Sequence, residues 1–424
     1  MTEQGRMGVG QGAALLVGAV LGPGMLVLPQ LAAAAAGPAS VLAWAGLLAL
    51  SVPVALTFAA LGVRYPGGGG VASFAGLAFG PRAAAVVGWW FYGAVPVGTV
   101  AGALVGGRYV EACLGVDGTL AGVLILAAAF AANAAGLRTS GWLQLVSVAL
   151  LVVLLAVAVV TAAPRADLDH FTPFAPYGAA GVAGAAGVLM FAFVGWEAAS
   201  HLSAEFATGR RGRREGHGRH GLTRATVVTL VVVGVLYLGV GVTSVGVLGA
   251  DMPGVPLTAL LETGLGGVAR PVTGLLAVLL TFGAVNTYLA GAARLGVALA
   301  RDGAMPAWLA GGRGPYRSLG ALAVLTVPVV VWAVDLDLLM RATSACLAAV
   351  TAAGVAAAVR VLPAGRLRVT AVVATGMSAV ALACCGAFLA VPAVLAVVAL
   401  GVLKALRRAV LPAHDGAPSG GCHD

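Results

Sequence analysis

The chain has 424 residues, of which 60% are apolar and only 9% charged, and its mean hydropathy is +1.02. A water-soluble fold of this length needs far more charge to cover its surface, so soluble classes are excluded. The net charge of +9 in so apolar a chain reports orientation toward anionic lipid, and no nucleic-acid partner is expected.

The apolar residues lie in blocks of roughly 18 to 25, the length at which a helix crosses about 30 Å of hydrocarbon. Alternation over about ten residues, the pattern of a membrane barrel, is absent. The sequence therefore predicts an all-α integral membrane protein of about twelve transmembrane helices. In chain order the spans are 9–33, 40–62, 84–107, 119–137, 141–163, 178–203, 223–249, 270–298, 318–334, 338–360, 369–387 and 389–405.

The first span is too long for a cleavable signal peptide, has only Arg6 ahead of it, and is interrupted by Pro23 and Pro29. Near its middle, Gly22-Pro23-Gly24 joins permissive backbone to a residue with no N–H to donate. After the second span, Gly67 to Gly70 lacks the Lys-Ser/Thr of a phosphate loop and is expected to turn around a short amphipathic segment, Val71 to Phe79. The fifth span contains no lysine.

The sixth span carries Gly195 and the acid Glu197 within apolar sequence. Behind it, Ala207 to Arg224 is rich in arginine and glycine and reads as a solvated cytoplasmic loop against lipid headgroups. The last two spans are short and nearly contiguous, and residues 409–424 read as a disordered tail. That tail holds His414, Cys422, His423 and Asp424, but no metal site or cofactor is expected. The cysteines lack CxxC spacing and suggest no disulfide framework.

Charge placement gives an orientation. With both termini cytoplasmic, all of the 24 basic residues except Arg108, Arg165, Arg270 and Arg341 fall inside. The acids Glu111, Asp117, Asp167, Asp169, Asp251, Glu262, Asp335 and Asp337 fall outside. That asymmetry satisfies the positive-inside rule for a bacterial inner membrane.

Spans 1 and 6 are interrupted at corresponding positions of two five-helix halves, which is the mark of an inverted-repeat transporter. Broken backbone within a bilayer is tolerable only where protein packs it or a cavity solvates it. The expected organisation is a first repeat over 1–163, a second, inverted repeat over 178–360, and two additional helices over 361–408.

Four stretches then carry a family likeness. They are GPGML from Gly22, RYPGGGGVASFAGLAFGPR from Arg64, FAFVGWE from Phe191 to Glu197, and NTYLAGAARLGVALARDGAMP from Asn286. In this order and spacing the chain resembles the amino acid–polyamine–organocation (APC) superfamily of transporters along most of its length. VPVGTVAGAL from Val95 and HLSAEF from His201 resemble the bacterial exporter group for methionine and branched-chain amino acids. The chain departs from its relatives at Pro23, where they usually carry Ser or Thr, and in the ATGRRGRREGHGRHG run after the sixth span.

An amino acid crossing a membrane must exchange water for protein hydrogen bonds at both its carboxylate and its ammonium. The N–H groups at the start of a half-helix suit the first, and free carbonyls at a half-helix end suit the second. The expected carboxylate donors are Gly24, Met25 and Gly22, with Pro23 contributing none. Carbonyls near Ala19, Phe191 and Phe193 are the expected ammonium acceptors. Ala192, Gly195 and Trp196 complete the expected wall, and the resemblance implies a gating role for Phe191.

Glu197 is the one clear intramembrane acid, and His201 lies one turn on. The pair either carries a coupled proton or splits into a backbone-bonding Glu197 and an interfacial His201. Asn286 either lines the site or bonds a neighbouring helix. No other charge lies deep in a span, so neutral apolar side chains such as those of methionine, leucine, isoleucine and valine fit best. A channel would need a continuous polar stripe and a membrane enzyme a catalytic or metal cluster. Neither pattern is present, and the expectation is a secondary transporter coupled to H+ or Na+ that exports these amino acids by alternating access; the alternative is an importer or exchanger of another small amino acid or amine, or a non-transporting sensor of the same fold.

Overall fold

The computed structural model describes residues 9–65, 70–136, 141–193, 195–198, 215–312, 314–332 and 335–410. Among these there are helices, turns and no strands. The first half contains α1 (Val9–Val20), α2 (Leu28–Ala36), α3 (Ser40–Arg64), α4 (Gly70–Phe79), α5 (Pro81–Leu114), α6 (Gly118–Ala134) and α7 (Gly141–Ala162). The second contains α8 (Gly178–Leu189), α9 (Glu215–Leu248), α10 (Pro256–Leu265), α11 (Ala269–Arg301), α12 (Tyr316–Val331) and α13 (Leu336–Val361). Then follow α14 (Arg366–Ala383) and α15 (Ala390–Val410), joined by a 3-10 turn at Gly386–Leu389.

Every apolar block read from the sequence carries helix, and eight helical segments among the described residues are long and apolar enough to cross a membrane. The last two spans are separate helices. The segment after Gly67–Gly70 is the ten-residue α4. The polar stretch 207–224 is only in part a loop, because α9 already begins at Glu215. Its residues 207–214 lie outside the described residues, as do His201 and 411–424 of the tail.

Helix lengths recur in order. The first half runs 25 residues (α3), 10 (α4), 34 (α5), 17 (α6) and 22 (α7). The second runs 34 (α9), 10 (α10), 33 (α11), 16 (α12) and 26 (α13). In each half a ten-residue helix precedes the helix of 33 or 34 residues, and a broken segment opens the series.

Helix α5 packs along α6, α11 and α13. The approach is closest at Gly107, where a Cβ would strike the carbonyl of Gly118 on α6. Small residues permit such backbone contact where water supplies no hydrophobic drive. At the periphery α15 is tied to α5 by the Trp90 indole, which donates to the carbonyl of Pro392 at 2.7 Å. Two of the arginines assigned outside are paired: Arg270 with Glu262 at 2.8 Å and Arg341 with Asp337 at 2.6 Å.

Candidate functional site

Helix α1 stops at Val20, and a 3-10 turn over Pro23–Leu26 leads into α2. Pro23 removes the donor that would continue the ladder, so the Gly-Pro-Gly run breaks the helix as its chemistry requires. The carboxylate donors differ from those expected at one position. Met25 N–H is already engaged, donating to the Gly22 carbonyl at 3.3 Å. The N–H groups of Gly22 and Gly24 have no backbone acceptor among the described residues.

The second break follows α8. The chain tightens through Phe191, Ala192 and Phe193, whose N–H groups donate to Val188 (3.2 Å), Leu189 (2.9 Å) and Met190 (3.2 Å). At Gly195 φ is +120°, a region that L side chains rarely adopt, and a Cβ there would strike the carbonyl of Ala19. The two broken segments cross in contact: Gly195 lies on Ala19, and a Cβ on Gly24 would stand 2.8 Å from the ring of Phe191.

Three hydroxyls bond carbonyls at the breaks. The Tyr237 phenol on α9 is shared between Val20 (2.9 Å) at the end of α1 and Ala192 (3.0 Å) beyond α8. Tyr109 on α5 donates to Leu26 at 2.7 Å, and Ser344 on α13 donates to Val188 at 3.1 Å. The Tyr237 ring meets Trp44 and Phe193 edge to face, at centroid distances of 5.5 and 5.3 Å, and Trp44 lies tilted against Phe193 at 6.0 Å. An orphaned carbonyl in hydrocarbon costs several kcal/mol, roughly, so these side chains make the breaks tenable.

Beside the crossing lies a cavity of about 370 Å³. Of the expected site residues, Ala19, Gly22, Pro23, Phe191, Gly195 and Glu197 line it. Gly24 instead seats the Phe191 ring, Met25 is fully buried, and Ala192 and Phe193 lie in the packing behind the wall. The Trp196 indole donates to Ser51 at 3.2 Å, away from the cavity. Asn286 does not line it either; its side-chain oxygen accepts from the Asn133 amide on α6 at 2.6 Å.

Glu197 is the one charged residue in the lining among those described, and one of its carboxylate oxygens accepts the Gly195 N–H at 2.9 Å. The acid therefore bonds the broken backbone and faces the cavity at once. Phe91, Val95, Val148, Leu151, Leu280 and Leu347 supply an apolar wall. The sequence reading missed the polar members of the opposite helices, Thr99, Ser147, Thr287, Tyr288 and Thr343. Thr99, Thr287 and Thr343 each donate to a carbonyl four residues back on their own helix, at 2.8 Å. Their oxygens are left as acceptors.

Comparison with known proteins gives the family. The model of the amino acid permease family matches residues 8–404. The chain belongs to the amino acid permease family. This permease is 31% identical over 363 residues to YecA of Bacillus subtilis (strain 168), an uncharacterized amino acid permease, across 83% of this chain and 84% of YecA. It is 33% identical over 243 residues to the L-methionine/branched-chain amino acid exporter YjeH of Escherichia coli (strain K12), across 55% of this chain and 54% of YjeH. The transporter Rv1999c of Mycobacterium tuberculosis (strain ATCC 25618 / H37Rv) is 27% identical over 310 residues, across 72% of this chain and 68% of Rv1999c. Membership bears out the APC resemblance. The permease is a multi-pass membrane protein of amino-acid transport, and the family implies a small-molecule amino acid substrate.

Proposed function

We propose that the permease is a secondary active transporter that exports neutral apolar amino acids, methionine, leucine, isoleucine and valine, by alternating access. The observation that carries this reading is the cavity at the crossing of the two helix breaks, with its apolar wall and single acid. A zwitterion meets free N–H groups at Gly22 and acceptors at Glu197 and the Ala19 carbonyl, while its side chain rests against Phe91, Val95 and Leu280. A cationic or anionic side chain finds no second charge among the described lining residues, and burying it unpaired costs roughly several kcal/mol. The YjeH likeness supports the export direction and the substrate class.

The recurring helix lengths support two five-helix repeats, 1–163 and 178–360, in inverted orientation, followed by two helices over 361–408 and a tail. Rocking of one repeat's broken helix against the other would open the cavity to either side in turn. This arrangement has twelve spans, with both termini on the cytoplasmic side of the bacterial inner membrane. The coupling ion is H+ or Na+, with Glu197 and His201 the coupling candidates.

The test is counterflow and net uptake in proteoliposomes with a panel of twenty amino acids, with and without Na+ and a pH gradient. Methionine, leucine, isoleucine and valine are expected to compete with one another. Efficient counterflow of arginine or glutamate would overturn the assignment.

A further inference from the structure

The carboxylate of a bound amino acid is short of donors at the first break. Pro23 has no N–H and Met25 N–H is already bonded, which leaves Gly22 in the lining and Gly24 beneath Phe191. The threonines of the far wall cannot help, because each already gives its proton to its own helix. Besides Ser147, one further side-chain donor faces the same space. Tyr288 on α11 lines the cavity, and its hydroxyl has no hydrogen-bond partner among the described residues. Its side chain is 48% exposed and lines the same cavity as Glu197.

The turn that carries Tyr288 is also held. The Asn133 amide on α6 donates to both the side chain (2.6 Å) and the backbone carbonyl (3.1 Å) of Asn286, two residues earlier. A paired amide between helices fixes the rotation of α11 where it meets the cavity. No residue of α6 lines that cavity, so Asn133 acts on it only through α11.

Resting on the transporter reading above, we infer that Tyr288 is a specificity-determining residue whose hydroxyl donates to the α-carboxylate of the substrate. Gly22 N–H and the Tyr288 hydroxyl hold the carboxylate, and Glu197 with the Ala19 carbonyl holds the ammonium. The two poles select substrates that carry both groups on one carbon. An amine lacking the carboxylate keeps the ammonium contacts and the side-chain contacts but makes no bond to Tyr288.

The experiment uses L-methionine counterflow in proteoliposomes, competed by unlabelled L-methionine or by 3-(methylthio)propylamine, its analogue without the carboxylate. Tyr288→Phe is expected to weaken L-methionine competition about tenfold to a hundredfold, the size of a hydrogen bond to a charged group. Competition by the amine is expected to stay within about twofold of wild type. Asn133→Leu is expected to shift the L-methionine value in the same direction by less. Equal losses for methionine and the amine would overturn the inference and assign Tyr288 to packing or to Glu197. Unchanged methionine competition in Tyr288→Phe would overturn it as well, since the phenol would then make no substrate bond. A wild-type protein that shows no methionine counterflow at all would instead fail the transporter reading.

Discussion

The two helix breaks solve the same physical problem by different means. At the first, the Gly22-Pro23-Gly24 run both breaks and restarts the helix, because Pro23 opens a 3-10 turn that feeds directly into α2. At the second there is no proline. The chain leaves α8 through 3-10-type bonds, turns at Gly195 with φ at +120°, and needs a side chain, Glu197, to receive the N–H that the turn releases. The first break is written into its own backbone chemistry. Both have carbonyls bonded from other helices, the first by Tyr109 and Tyr237 and the second by Ser344 and Tyr237, but only the second also needs an acid, which faces the cavity as well.

That difference predicts where each break fails. The largest effect is expected at Gly195, where a Cβ meets the Ala19 carbonyl and the backbone conformation itself disfavours an L side chain. Gly195→Ala should abolish methionine counterflow. Gly24→Val drives a branched side chain into Phe191 and Leu28 and should abolish substrate binding while the protein still elutes as a folded species from detergent. Unchanged methionine affinity in Gly24→Val would remove the first break from the site.

Glu197 sharpens the comparison, since only the second break depends on an acid. Glu197→Ala strips the Gly195 N–H of its acceptor, a cost of about 1–3 kcal/mol, and should lower the unfolding temperature. Glu197→Gln keeps an acceptor of the same size but cannot titrate. The coupling role predicts that the Gln variant, measured from about pH 5.5 to 8, loses the pH dependence of net flux and preserves exchange, because the amide carries no exchangeable charge. Undiminished pH dependence in that variant would leave Glu197 a backbone partner alone. Tyr237→Phe leaves two buried carbonyls short of a donor, and a loss of about 1–3 kcal/mol is expected in thermal unfolding. At the other extreme, Val397 on α15 is 71% exposed, and Val397→Leu should stay within about 0.5 kcal/mol of wild type in the same measurement.

The asymmetry between the breaks also explains what the sequence made legible. Glycine and proline act through local backbone chemistry, so the first break and the glycine of the second, Gly195, could be read without coordinates, whereas the crossing of the two could not. The apolar membrane helices were legible because hydrocarbon demands a minimum length. Helix α10 was not, because ten residues fall below that length and α10 sits between two spans. The polar lining was hidden for another reason. A threonine that bonds the carbonyl four residues back looks the same in sequence whether it faces lipid, a neighbouring helix or a cavity. Tyr237 and Tyr288 were equally silent, since their roles depend on which helices stand opposite them. Asn286 was recognised as polar in an apolar span, and only the packing of α6 against α11 gives it Asn133 for a partner.

If substrate passes through the cavity beside the crossed breaks, a single bulky variant in its wall should block it. Ala284 lines that cavity from α11, and Ala284→Trp would fill much of a space of about 370 Å³ without changing a residue of either break. Methionine counterflow is to be compared between wild type and Ala284→Trp, reconstituted at equal density after matched elution and unfolding temperatures. Rapid exchange is expected in the wild type and none above the liposome background in the variant. Exchange at the wild-type rate in a folded Ala284→Trp protein would contradict it, and would place the path for amino acids elsewhere in the bundle.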